Sequence, residues 1–335
     1  MIFEDLFVLE VANNHWGNVG RGLQIISEFS KIAKQNNVKT AIKLQFRDVD
    51  NFIHKDFRNS TERYIKKTID TKMSYNDYVT LVKAIEDSGC ITMATPFDEK
   101  SVQMCVDLGI EIIKIASSDI NDWSLIEEIA KTKKPVIVST GGASLKEIDI
   151  AVVNLFKNIP FAINHCVALY PSEKHELELN QIDILKNRYP HNTIGYSTHE
   201  RNEDIEHSIM IAYAKGARTF ERHIDIDQDG IPVSPYCSLP KHIDRCMKAL
   251  NSAKLMCGSS QNKVISERER VYLNNLLRGI YLKNDLPEGH ILTKDDIYLA
   301  IPLQKGQLSC NDLVFGKRII KETNKEEPLM KDYIN

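Results

Sequence analysis

Between Phe7 and Cys257 a short, β-rich apolar run is followed eight times by a longer segment with helical spacing, and nothing else in the chain narrows its fold as far. The runs are Phe7–Asn13, Thr40–Phe46, Ile91–Pro96, Ile112–Ser117, Pro135–Thr140, Phe161–Cys166, Thr193–His199 and Arg218–Ile224. In the first intervening segment Leu23, Ile26, Phe29, Ile32 and Ala33 fall on one helical face. In the fifth, Leu145, Ile148, Val152 and Leu155 do so, and in the eighth Ile243, Met247, Leu250 and Leu255. Strand and helix in strict alternation predict a parallel α/β fold. Eight units in about 250 residues match a (β/α)8 TIM barrel, with a doubly wound open sheet as the alternative.

The runs end in polar residues. Glu10, Lys43 with Gln45, Thr95, Lys114 with Ser117 and Asp119, Ser139, His165, Ser197 with His199, and His223 all fall there. One such residue is readily a buried polar group paired within the core. A whole ring of them would need a partner for each, whereas the C-terminal face of a barrel is where active sites are built. The ring therefore reads as a site.

Its chemistry follows from residue type. His199 and His223 end neighbouring strands roughly 5 Å apart, so both imidazoles can reach one metal ion. With no third protein ligand evident, the pair suits an octahedral ion such as Mn²⁺ or Mg²⁺ that keeps positions for water and substrate. Lys43 and Lys114 lie inside apolar runs, where an uncompensated cation is costly and an anionic ligand is a natural partner. The hydroxyls of Thr95, Ser117, Ser139 and Ser197, with the Ser139-Thr140-Gly141-Gly142 turn, offer donors to phosphate or carboxylate oxygens. Glu10 and Asp119 are acid–base candidates, or else ion-pair partners of the two lysines. His165 and Cys166 are adjacent on one strand and point to opposite faces, which argues against a Cys/His dyad. Trp16 reads as a stacking surface for a sugar or as a cap on the barrel rim.

Composition closes off other classes. Lys+Arg 43 against Asp+Glu 46 gives a net charge of −3, with no basic patch to serve nucleic acid or a membrane surface. No apolar run approaches the about 18 residues of a membrane span, and the acidic start does not resemble a signal peptide. Seven cysteines, an odd number with no CxxC, read as reduced thiols of a cytoplasmic protein. Beyond the barrel (residues 1–257), 258–276 reads as a linker containing a charged helical stretch from Ser266 to Arg270. Residues 277–335 carry a weak repeat, Leu286 to Ile297 against Thr323 to Ile334, of a turn, an apolar residue and Lys-Asp-x-Ile. That pattern predicts a small β-rich module, which at about 60 residues needs something to pack against.

The ordered motifs carry a resemblance. They are Glu10-Val-Ala-Asn-Asn-His15-Trp-Gly17, Ile42-Lys43-Leu-Gln45, Thr95-Pro96-Phe97-Asp98, Lys114-Ile-Ala-Ser117-Ser-Asp119, Val138-Ser139-Thr140-Gly141, His165-Cys166-Val-Ala-Leu-Tyr170-Pro171, Gly195-Tyr-Ser197-Thr-His199 and Glu221-Arg-His223. In these the chain resembles the sialic acid (nonulosonic acid) synthases, which condense phosphoenolpyruvate with an N-acetylated hexosamine. Its tail looks like the family's antifreeze-like SAF module. The resemblance implies that Lys43, Thr95, Lys114, Ser117, Ser139 and Ser197 hold phosphoenolpyruvate, and that Gln45 and Tyr170 contact the sugar. It implies that His199 and His223 hold the divalent metal, that Glu10 and Asp119 manage protons and water, and that Lys114 is counted with them as catalytic. It also implies a homodimer with exchanged SAF modules. Two positions depart from the family pattern: Ser234 stands where an acid is expected, and Ile301 stands in the stretch that carries an arginine. Both fall on the acceptor side, leaving the sugar open. Two alternatives are a non-catalytic sugar- or phosphate-binding protein on the same scaffold and an aldolase using Lys114 as a Schiff base.

Overall fold

The computed structural model describes residues 2–155, 159–228, 230–258 and 262–335. The side chains of 152–155, and so those of Val152 and Leu155, lie outside that description, as does part of the expected linker. The chain divides into two compact units, Met1–Ser259 and Ser260–Asn335.

The first unit is a closed barrel of eight parallel strands in sequence order. They are β1 (Leu6–Glu10), β2 (Thr40–Phe46), β3 (Ile91–Pro96), β4 (Ile112–Ile115), β5 (Val136–Ser139), β6 (Phe161–Cys166), β7 (Thr193–Thr198) and β8 (Thr219–His223), and β8 closes on β1. The helices between them are α1 (Val19–Asn36), α2 (Val49–Phe52), α3 (Arg63–Asp70), α4 (Tyr75–Asp87), α5 (Glu99–Asp107), α6 (Trp123–Lys131), α7 (Leu145–Leu155), α8 (Gln181–Arg188), α9 (Ile205–Lys215) and α10 (Pro240–Cys257). Local chemistry sets their ends. Asn18 and Asp98 accept from the first-turn amides of α1 and α5, and Ser74 and Asp77 form a reciprocal capping box on α4.

Strand alternation divides the side chains into two sets. Outward residues such as Phe7, Leu9, Ile42, Ile113, Val138, Ile163 and Phe220 join the helices in the main core. Inward residues change character with height. At the N-terminal ends Val8, Ala41, Met93, Ile112, Ile137 and Ala162 form an apolar plug with Leu6 and Phe3. The next inward positions are polar and buried: Glu10, Lys43, Lys114, Ser139, Asn164, Ser197 and Glu221. At that level Thr219 Oγ1 donates to Asn164 Oδ1 at 2.6 Å across Gly195. A Cβ on Gly195 would stand 1.8 Å from Thr219 Oγ1, so only glycine fits.

The segment between β2 and α4 departs from simple alternation, because it contains the two extra helices α2 and α3. Their buried faces are too slight to leave an apolar stripe in the sequence.

The second unit has helix α11 (Glu267–Asn274) and an antiparallel pair, β9 (Gly279–Leu282) with β10 (Ile297–Ala300). Ile280, Leu282, Leu286, Leu292, Ile297, Leu308, Val314, Ile319 and Leu329 form its own core. The sequence repeat is structural: Lys294–Asp296 and Lys331–Tyr333 are both single 3-10 turns followed by an extended isoleucine. No helix among the described residues is long and apolar enough to cross a membrane. All seven cysteines are free.

Candidate active site

The C-terminal mouth of the barrel holds a cavity of about 660 Å³ lined from all eight strand ends. Lys43, Gln45, Thr95, Lys114, Ser117, Asp119, Ser139, Tyr170, Ser197, His199 and His223 all line it. Glu10 is fully buried and is not among the lining residues.

The floor is an ion network. Glu10 pairs with Lys43 through Oε2, while its Oε1 accepts from the Ala12 amide at 2.6 Å and from Gln45 Nε2 at 3.2 Å. For Glu10, the ion-pair reading is therefore what the fold contains. Lys43 also lies 2.9 Å from Glu221 Oε1, and Lys114 reaches the same oxygen at 3.4 Å. Burial pushes Lys43 down to about 7, against the opposing pull of Glu221. Burial also resists ionisation of Glu221, but Lys114 and Lys43 outweigh it and hold that carboxyl well below the usual range. Both lysines thus have a carboxylate partner within the fold. The sequence reading did not single out Glu221 as a site residue. The signal was present, since Glu221 is two residues before His223 and so on the same strand face.

His199 and His223 meet as expected, with ring centroids 5.2 Å apart. His199 Nδ1 faces the Val167 carbonyl at 2.9 Å, and a carbonyl only accepts, so Nδ1 carries the proton and Nε2 keeps its lone pair. Burial pushes His199 down to about 4. Burial and then the neighbouring His199 hold His223 well below its ordinary value. Two neutral imidazoles, one with its tautomer fixed from behind, fit a divalent cation. No group of three or more His, Cys, Asp or Glu among the described residues is arranged to hold a metal. Tyr170 and Tyr236 flank it, Tyr170 at 4.0 Å from His199 and Tyr236 at 5.3 Å from His223, between centroids. Behind the pair the fully buried Arg222 donates to Ser238 Oγ at 2.8 Å and Asn202 Oδ1 at 3.1 Å, tying together the loops after β7 and β8.

Several cavity groups lack a partner among the described residues. Thr95 Oγ1, Ser139 Oγ, Glu221 Oε2 and Asp119 Oδ2 are buried and make no hydrogen bond. Buried polar atoms are rarely left so, unless a ligand or water completes them. Asp119 is the open carboxyl: Oδ1 accepts from Ser118 at 2.8 Å, Oδ2 is unengaged, and burial pushes it up to about 6. The Gly141 amide donates to Ser117 Oγ at 3.0 Å, so that donor of the expected anion cradle is already engaged.

His165 is a correction. It was expected on the polar mouth, but its Nε2 bonds the Leu177 carbonyl at 2.7 Å and its ring stacks on Tyr196, whereas Cys166 lines the cavity. The two-residue period of β6 decides this, since Asn164 and Cys166 share the inward face. Ser234 is not among the lining residues, and Ile301 is exposed in the second unit. The wall that sequence reasoning missed entirely comes from the β2–α4 segment: Arg47, Phe52, Arg63, Tyr64 and Lys67.

A closed (β/α)8 barrel with lysines, open hydroxyls and a neutral histidine pair at its C-terminal mouth defines a TIM-barrel protein with a polar cavity at the end where such barrels build their sites. The chain belongs to the NeuB family, whose model matches residues 31–262, and a SAF domain matches residues 278–334. The fold is similar to that of a putative spore coat polysaccharide biosynthesis protein E from Chromobacterium violaceum, at 34% identity and TM-score 0.94, over 99% of this chain and 100% of that one. It is also similar to N-acetylneuraminic acid (sialic acid) synthetase from Leptospira borgpetersenii, at 27% identity and TM-score 0.68, over 80% of this chain and 90% of that one. In sequence, N,N'-diacetyllegionaminic acid synthase from Legionella pneumophila is 25% identical, covering 88% of this chain and 85% of its own length.

Proposed function

We propose that this chain condenses phosphoenolpyruvate with an aldose to give a nonulosonic acid and inorganic phosphate. The observation that supports this most is the set of unpartnered buried hydroxyls, Thr95 and Ser139, in the cavity that also holds two lysines, the histidine pair and the open Asp119. Relatives named as synthases of neuraminic and legionaminic acids point the same way.

Lys43 and Lys114, with Thr95, Ser117, Ser139 and Ser197, bind the phosphate and carboxylate of phosphoenolpyruvate and fix its plane. Gln45 and Tyr170 face the sugar. His199 and His223 would hold a divalent cation, Mn²⁺ or Mg²⁺, which when bound supplies Lewis-acid polarisation of the sugar aldehyde. Carbon 3 of phosphoenolpyruvate forms the new bond to that carbonyl carbon, whose oxygen takes a proton. Water adds at carbon 2, and phosphate leaves with cleavage of its bond to carbon 2 as the ketone forms. One water is consumed and one phosphate released. Asp119, with its free oxygen and raised pKa, takes the proton from that water. Glu10 positions Lys43 and Gln45, its oxygens being held on the cavity floor. We also read the protein as a homodimer of the cytoplasm, where its free thiols stay reduced.

Phosphate release is expected only with phosphoenolpyruvate, a divalent ion and an aldose together. His223→Ala is expected to remove activity and bound metal in parallel. No release across a panel of acetamido and plain aldoses overturns the reading. Lost activity with unchanged metal content overturns the ligand assignment alone.

A further inference from the structure

We propose that the cavity wall built by the segment between β2 and α4 is a second anion subsite, and that the sugar this site takes carries a phosphate or carboxylate of its own. The proposal rests on the condensing reading above for the word sugar, and on geometry for the word anion.

The cations of the floor have protein partners: Lys43 faces Glu10 and Glu221, and Lys114 faces Glu221. Three further cations line the same cavity from one stretch of chain, Arg47 just beyond β2 and Arg63 and Lys67 on α3. Among the described residues, none of the three side chains makes a hydrogen bond or ion pair. What holds two of them is aromatic. The Arg47 guanidinium lies 3.6 Å from the centre of the Phe97 ring and 5.9 Å from that of Phe52. Lys67 Nζ lies 5.1 Å from the centre of the Trp16 ring. Stacking on a ring face fixes a guanidinium while leaving its N–H edge open, the arrangement that grips a carboxylate or phosphate with two parallel bonds.

No carboxylate stands within ion-pair distance of this wall among the described residues, and Asp225 acts on Lys67 only from further off. Burial lowers Arg47 to about 10, so it stays charged at neutral pH, and Asp119 and Asp98 act on it only from beyond ion-pair distance. The buried His15 registers the field: burial first, then Lys67 and Arg47, push it down to about 4. A mostly desolvated guanidinium without a counter-ion is costly, and a bound anion relieves that cost. Phosphoenolpyruvate does not account for it, because the hydroxyls assigned to that ligand come from β3, β5 and β7 and from Ser117 beyond β4. A cavity of about 660 Å³ has room for a second small molecule beside it.

The test is calorimetric titration of the metal-free full-length chain, with and without saturating phosphoenolpyruvate, so that nothing turns over. The probes are a neutral acetamido-hexose, its 6-phosphate and the matching hexuronate. One of the two anionic sugars is expected to bind about tenfold or more tightly than the neutral one with phosphoenolpyruvate present. Which of the two binds tighter identifies the anion. Arg47→Met is expected to erase that advantage and Lys67→Met, on the more exposed rim, to reduce it, with phosphoenolpyruvate affinity changed by less than about threefold. Equal binding of neutral and anionic sugars overturns the proposal. So does an Arg47→Met chain that loses phosphoenolpyruvate instead, which would assign the arginine to that ligand. Binding is read without catalysis, so a failure of the condensing reading shows up separately, as absent phosphate release.

Discussion

Asp119 is held in a state that folding alone does not favour. Its carboxyl ionises at about 6 in the fold against an ordinary 3.8, with burial as the main cause. Between those values the folded chain keeps a proton that the unfolded chain has lost. Stability therefore falls as pH rises through that window, and the deficit is complete above about 6. Asp119→Asn is expected to raise the melting temperature at pH 7.5, by an amount corresponding to about 1–2 kcal/mol, and to change it little at pH 4. The same variant is expected to abolish the acid limb of the pH–rate profile, where kcat/KM declines below about pH 6 in the parent. A variant less stable at neutral pH, or a parent profile without that limb, would count against the assignment of the proton to Asp119. Glu10 differs in kind: one oxygen pairs with Lys43 and the other accepts from Ala12 and Gln45, so it is held by the cavity floor.

At the scale of elements, the barrel strands do two jobs with one alternation. The outward set binds helices, and the inward set is apolar below and polar above. The layer containing Gly195 separates them. A methyl there meets Thr219 Oγ1 at 1.8 Å, Asn164 Oδ1 at 2.2 Å and the Thr219 carbonyl oxygen at 2.8 Å. Gly195→Ala is expected to cost about 3 kcal/mol or more in denaturant unfolding, because β7 and β8 must part to admit it. Adding Thr219→Ala should recover only part of the loss, since the backbone oxygen remains. Unfolding of Gly195→Ala at the parental midpoint would show that the strands yield. Much of this was legible in the sequence, because period-two alternation inside eight runs names the inward residues. It also named two residues imperfectly. Run ends alone put His165 at the mouth, whereas the alternation gives its neighbour Cys166 the inward position and sets Glu221 on one face with His223. Helix α3 left no such trace: it buries no residue fully, and its contribution is the polar side it turns to the cavity.

For the whole molecule, two units with separate cores follow one another along the chain. The second is small, and nine buried apolar side chains among the described residues make its core. A core of that size is marginal alone. The protein is therefore expected to be a dimer, with a light-scattering mass of twice the 38.2 kDa of one chain. A mass of 38.2 kDa at micromolar concentration would remove the dimer from the reading.

The sequence by itself determined the barrel, its polar rim, the histidine pair and the repeat of the tail, because each is written in local periodicity, which a chain displays before it folds. Only the tertiary structure decided how charge is distributed over the site. Which lysine meets which carboxylate, that Asp119 keeps an oxygen free, and that Arg47 rests on Phe97 without a counter-ion all depend on residues brought together from distant parts of the chain. Burial, which sets the energy of each charge, exists only once those parts have closed around it.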